Sequence, residues 1–218
     1  ILGFSGLMGA GRSEIMRVLF GLDKGQMQVM MNNQPLQIKN PYQAIQQGLA
    51  FITENRKDEG LVLQDSIVEN TALPALKSFS KAGMLTQSSM NDYTEQMIQR
   101  LNIKGRKEDS CIDLSGGNQQ KVVLAKWIAT APKVLILDEP TRGIDVGAKR
   151  EIYHLMNELT ERGMSIIMIS SELPEVIGMS DRVVVVHEGH ISGVLDKTEL
   201  TEENIMTLAT GGNLNEAI

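Results

Sequence analysis

The sequence predicts an α/β fold: a mostly parallel sheet flanked by helices, with a helical subdomain inserted into it. Three observations carry this reading. Short apolar runs at 1–5, 49–53, 133–137, 165–170 and 182–187 alternate with stretches of helical apolar spacing. The run Val134, Leu135, Ile136, Leu137 is continuous rather than alternating, as in a strand buried on both faces. The stretch from about 61 to 125 shows helical patterns and no strand pattern. The expected organisation is therefore a first part of the α/β core over 1–60, a helical subdomain over 61–125, and a second part of the core over 126–218.

The elements follow in order. Residues 1–5 read as a short strand that runs straight into the glycine-rich stretch 6–11. Residues 13–20 carry Ile15, Met16, Leu19 and Phe20 at helical spacing. Residues 26–36 read as a hairpin turning at Asn32 and Asn33. Pro41 suits the first turn of a helix that ends at Gly48, and 49–53 is a strand. The charged stretch 54–60 is a loop, and 66–101 is helical with a break near Gly83. Ser115 to Asn118 is a small-residue turn opening a helix over 119–130. Strand 133–137, helix 147–162, strand 165–170, short helix 172–178, strands 182–187 and 191–195, and a final helix 201–209 complete the chain. Ile1 stands inside what reads as a buried strand, so the polypeptide is expected to continue upstream of it.

Composition narrows the function classes. The 218 residues suffice for a sizeable core. Against 21 Lys and Arg stand 27 Asp and Glu, a formal charge of −6, which argues against a protein built to grip nucleic-acid phosphates. A single cysteine, Cys111, excludes an internal disulfide framework and a cysteine-rich zinc site. No run approaches the roughly 18 apolar residues of a membrane-spanning helix.

Chemistry concentrates in three segments. Gly6, Gly9, Ala10, Gly11, Arg12 and Ser13 fall in the spacing G-x-x-x-x-G-[K]-[ST], between a strand and a helix. Glycines there free the backbone to wrap anionic oxygens, and the helix N-terminus adds positive potential. Ser13 offers a hydroxyl to a magnesium ion. Arg12 departs from the pattern: lysine is a compact point charge, arginine a planar fork. In the second segment, an apolar strand ends in Asp138 and Glu139. Asp138 is placed to hold magnesium with Ser13, and Glu139 to orient or deprotonate an attacking water. The third segment, Leu114 to Lys121, sets Ser115, Gly116, Gly117, Asn118 and Gln119 at a helix start, where N–H groups and a hydroxyl face an anion.

Together these segments resemble the ATP-binding cassette of ABC transporters, over essentially the whole chain. Residues 6–13 resemble the Walker A motif, 114–119 the signature motif, 135–139 the Walker B motif, and 141–145, ending in Asp145, the D-loop. The wording of these motifs is similar to the second, C-terminal cassette of bacterial monosaccharide importers of the ribose, xylose and galactose type. The resemblance implies ATP and Mg²⁺ as ligands. It implies a second cassette, expected in the same full-length polypeptide, whose phosphate loop pairs with this chain's signature motif over one ATP. Further implied partners are transmembrane permease subunits and, indirectly, a periplasmic sugar-binding protein, with the chain peripheral on the cytoplasmic face of the inner membrane. The adenine-stacking aromatic of such cassettes lies before the phosphate loop and so upstream of Ile1.

Three positions depart from the family pattern. The switch histidine's place is taken by Ser171, the glutamine of the Q-loop by Glu54, and the Walker lysine by Arg12. The expectation is a degenerate site that holds ATP with little turnover, while the signature motif serves the partner's site. Two alternatives stand beside an importer ATPase: a non-hydrolytic regulatory cassette, and a soluble ABC protein acting on DNA or ribosomes. The latter tend to carry basic surfaces or coiled-coil insertions, which this sequence lacks. His187 and His190 flank a turn and are read as turn residues rather than metal ligands. Most of the 13 methionines, such as Met156 and Met168, are read as core filler, Trp127 as packing, and Cys111 as inert. The charged loop 55–59 is read either as a solvated face or as a contact to the permease.

Overall fold

A computed structural model describes residues 1–214. They group into two compact units, one of residues 1–51, 133–140 and the stretch from 163 onward, the other of 52–132 and 141–162.

The first unit is built on a six-stranded sheet. Its strands are β1 (Leu2–Ser5), β4 (Leu49–Ile52), β7 (Val134–Asp138), β8 (Ser165–Ile169), β9 (Arg182–His187) and β10 (His190–Asp196), in the spatial order β10-β9-β1-β8-β7-β4. Strands β1, β7, β8 and β9 pair in parallel, and β10 returns antiparallel on β9. Leu135, Ile136 and Leu137 of β7 are fully buried, as their unbroken apolar run requires. The β9–β10 turn places Glu188 at φ 46° and Gly189 at φ 78°, the left-handed pair of a tight hairpin. His187 and His190 each bond a backbone carbonyl through Nδ1, of Ala209 and Glu188. A second hairpin, β2 (Val29–Met31) and β3 (Gln34–Leu36), turns at Asn32 and Asn33, both at positive φ.

Four helices belong to this unit: α1 (Arg12–Leu19), α2 (Pro41–Gln46), α7 (Leu173–Met179) and α8 (Glu202–Ala209). The apolar face of α8, with Ile205, Leu208 and Ala209, packs with Val183, Val185 and Leu195 of the sheet in one cluster. The register matters most for function. Phe4 pairs with Ile169, and Asp138 also pairs with Ile169. Three adjacent parallel strands thus end level, and the residues that follow them meet at one edge. In open α/β sheets ligands bind at such carboxyl ends.

The second unit holds α3 (Ile67–Ala72), α4 (Gln87–Arg100), α5 (Gly116–Ile128) and α6 (Val146–Glu161). Ser66 and Glu69 close a full capping box at the start of α3. Phe79 and Tyr93 pack at 5.5 Å between ring centroids, and the Tyr93 hydroxyl donates to the Ala125 carbonyl at 2.6 Å. Ion pairs of Lys121 with Glu151, and of Arg100 with Glu158 at 3.1 Å, tie α6 to α5 and α4. This unit is accordingly wider than 61–125.

Two local features differ from expectation. The middle segment is not free of strands: β5 (Ser80–Lys81) and β6 (Met84–Leu85) form a small hairpin around Ala82 and Gly83, both at positive φ. Two-residue strands are too short to show an alternation. The charged loop 54–60 contains a π-turn, Arg56–Gly60, capped by the Asn55 side chain. Its polar composition masks that regular hydrogen bonding.

Candidate functional site

The phosphate-loop segment leaves β1 at Ser5 and enters α1 at Arg12. Gly6 adopts φ 151°, and a β-carbon there would lie 2.2 Å from the carbonyl oxygen of Val186. Gly11 caps α1 in the left-handed region at φ 98°, where an L side chain is strained. Gly9 is at φ 78° with open space where its β-carbon would stand. Ala10 is buried, and its carbonyl accepts from Gly189 N at 2.8 Å, which pins the loop to the β9–β10 turn. The first N–H groups of α1 have no intrahelical acceptor, and Ser13 sits among them.

Beside this loop stand the ends of β7 and β8. Asp138 is 4% exposed, and the Ser13 side chain hydrogen-bonds it. Burial pushes its carboxyl up to about 6, with the Ser13 bond working in the opposite direction. Asp138 Oδ1 is a buried oxygen without a hydrogen-bond partner. The Ser13 hydroxyl and the Asp138 carboxylate, one of whose buried oxygens is unmatched, form the kind of hard-oxygen pair that magnesium takes. The residues present fit the ion.

Glu139 follows in an unusual backbone state, φ 48°, its N–H donating to the Ile169 carbonyl at 2.9 Å. A left-handed glutamate is strained and is held here by the β8 ladder. Both its carboxylate oxygens have partners. Arg12 Nη2 lies 3.7 Å from Oε1, with both side chains 10% exposed. Ser171 Oγ donates to Oε2 at 3.1 Å. Arg12 Nη1 also donates to the Ser170 carbonyl at 2.9 Å. Ser170 is itself held by its hydroxyl, which donates to the buried Glu175 carboxylate, and by Glu172 N at 3.0 Å. Gly6, Gly9, Ala10, Gly11, Arg12, Ser13, Asp138, Glu139 and Ser171 therefore all belong to one strand-end cluster. Ser170 and Glu175, which steady it, were not singled out as site residues by the spacing of the motifs.

The ionisation of Asp138 has a testable consequence. Its carboxyl titrates higher in the folded chain than in the unfolded one, so the fold binds the proton more tightly. Stability is therefore lost as pH rises from the unfolded value through about 6. Asp138→Asn removes that penalty. In metal-free buffer, urea titrations are expected to show the Asn variant gaining on the parent as pH rises from the unfolded value to about 6, with the gap level above that. A gap independent of pH would contradict the assignment.

The remaining candidates lie in the second unit. Ser115 caps α5, its Oγ accepting from Asn118 N at 3.4 Å and Asn118 Nδ2 at 2.9 Å. Asn118 Oδ1 accepts from Lys104 N at 2.9 Å. A β-carbon on Gly117 would lie 2.7 Å from that of Ala148, so α5 and α6 approach through this glycine. Asp145 caps α6, its Oδ1 accepting from Ala148 N at 3.0 Å. Those backbone bonds, above all the one from Ala148, hold its carboxyl below the usual range. The Glu54 carboxylate pairs with Arg142. Gln119 differs from expectation: it is 4% exposed, and its Nε2 donates to the Cys111 carbonyl at 3.0 Å. One residue past Asn118, the helix turns its side chain inward, so Gln119 supports α5. Arg56, in the charged stretch 54–60, bonds two carbonyls more than eighty residues away.

The family model described as ABC transporter matches residues 1–142. Ribose import ATP-binding protein RbsA of Oceanobacillus iheyensis is 62% identical over 99% of this chain. The same-named proteins of Bacillus subtilis and Lactococcus lactis are 61% and 59% identical, each over 97% of it. The chain spans about 44% of the length of these relatives. Among solved structures, the ATP-binding cassette MJ1267 superposes with a TM-score of 0.79 at 20% identity, over 97% of this chain and 88% of that one. A post-hydrolysis state of the cassette MJ0796 bound to ADP and Pi gives 0.77 at 19% identity, over 90% and 85%. At such identities the likeness establishes the fold.

Proposed function

Because this chain belongs to the ABC transporter family of ATP-binding proteins, we propose that it is the second, C-terminal cassette of a ribose importer. Its full-length polypeptide would pair it with a first cassette, on the cytoplasmic face of the membrane, beneath permease subunits fed by a sugar-binding protein. What carries the sugar assignment is the identity to ribose import proteins over nearly the whole chain. The −6 charge suits this role better than one on nucleic acid. No helix among the described residues is long and apolar enough to cross a membrane. Cells lacking the full-length protein should regain uptake of labelled ribose when it is restored. Recovery of xylose or galactose uptake alone would replace the sugar.

At the strand-end cluster, Gly6 to Ser13 would hold the phosphates of ATP, and Ser13 with Asp138 would hold magnesium. The ion, when bound, neutralises phosphate charge. Glu139 is the residue in position to act on an attacking water. Its partners argue for a site that binds more than it turns over. Arg12 reaches Glu139 and the Ser170 carbonyl rather than the glycine loop. Ser171 engages the other carboxylate oxygen with a hydroxyl, where an imidazole would be able to reach phosphate. These contacts take one acceptor site on each oxygen and narrow the directions from which a water can reach Glu139. This is the observation that favours a nucleotide-holding half, and with it the regulatory reading of this site.

The helix start at Ser115 would then complete the ATP site of the first cassette, where hydrolysis occurs. Steady-state Mg-ATPase of the full-length polypeptide tests the division of labour. Glu139→Gln should leave turnover within about twofold while ATP is still bound. A loss of about 100-fold, or ~2.7 kcal/mol of barrier, would place chemistry in this half instead.

A further inference from the structure

The charged stretch after Glu54 is tied at both ends. Arg56 opens the π-turn Arg56–Gly60, a rare element that often marks a functional site. At its far end Lys126, 8% exposed, donates from Nζ to the Gly60 carbonyl at 2.8 Å. At its near end the Arg56 fork spans two successive carbonyls: Nη1 donates to Arg142 O at 2.8 Å and Nη2 to Gly143 O at 3.3 Å. The guanidinium also lies against the start of α5. A β-carbon on Gly116 would stand 2.7 Å from Arg56 Nη2 and 3.2 Å from Gly143 O.

The chemistry of this clasp is specific. A carbonyl oxygen beside a helix N-terminus competes with any anion for the positive potential there. Arg56 draws the lone pairs of both carbonyls to itself and adds its own charge at the same place. Lysine, a point charge, meets only one carbonyl well and does not lie flat. Gly116, the first glycine of the motif, is what leaves room for the fork.

We propose that Arg56 is a positioning residue for the Ser115–Asn118 anion site: it holds the 142–143 turn against the first turn of α5 and keeps that helix start electropositive. It acts through the backbone and touches no nucleotide. The inference rests on the reading that this helix start meets ATP held by a partner cassette.

The test uses the full-length polypeptide. Arg56→Ala should raise the KM for ATP about tenfold, the scale of losing a charged hydrogen-bond pair. The affinity for MgADP should stay at its parental value, while the lost backbone ties lower the melting temperature by a few degrees. Methylguanidinium in the buffer should restore most of the lost KM, a response that a general packing defect would not show. Arg56→Lys, which keeps the charge and most of the packing, should retain the raised KM; it carries the test if the alanine variant melts early. An unchanged KM in both variants overturns the inference, as does a KM that rises only in step with weakened MgADP binding. Ser115→Arg with full ATPase would instead overturn the reading underneath, whatever Arg56 does.

Discussion

Ser115→Arg is expected to lower the steady-state ATPase of the full-length polypeptide about 100-fold or more, the scale of losing a preorganised donor from an anion site. Ser115 caps α5 and its hydroxyl faces the helix start shared with Gly116 and Gly117. An arginine there removes the hydroxyl and fills the approach to the N–H groups. The fold should tolerate it. Loss of an N-cap costs about 1 kcal/mol, or about 2–4 °C in melting temperature for a chain of this size. Activity and stability should therefore separate widely. The contrast with the mild effect expected for Glu139→Gln is the sharpest statement of the model: this half lends its signature motif and not its own water-activating carboxylate. More than a third of the turnover surviving in Ser115→Arg would contradict it.

Gly6→Ala should destabilise the fold by about 4 kcal/mol and lower the melting temperature by roughly 8–16 °C. Two costs coincide. The residue stands at φ 151°, and its β-carbon would fall 2.2 Å from the Val186 carbonyl oxygen. That oxygen belongs to the backbone of β9, which pairs with β1 on one side and β10 on the other and has no slack to move. Gly9→Ala is the natural comparison. It shares the positive φ but meets nothing within 4 Å, so only backbone strain of about 1–2 kcal/mol remains. Equal melting temperatures for the two variants would show that the close approach to Val186 contributes nothing.

Much of this protein was legible in its local pattern. The strands at 2–5, 134–138 and 182–187 announced themselves because an apolar run of that length cannot lie in water. The glycine loop, the Asp138-Glu139 pair and the Ser115 helix start were legible because each is a short string whose spacing serves one purpose. The departures at Arg12, Glu54 and Ser171 were visible for the same reason. What they touch was not. Gln119 reads like a member of its motif, yet helical rotation sends it inward to Cys111. The hairpin at 80–85 is too short for a period. Residues 146–161 group with the segment 52–132 through pairs such as Lys121 with Glu151, which no local window contains.

The sequence by itself determined the order of elements, the position of the phosphate loop and the family, because these depend on neighbours a few residues apart. Only the tertiary structure decided which groups meet. It brought Arg12 and Ser171 onto the two oxygens of Glu139, and it closed Arg56 over the carbonyls of Arg142 and Gly143. Partners separated by 32 to 127 positions are chosen by strand register and helix packing. Those are set by the whole buried core at once, so no stretch of sequence states them alone.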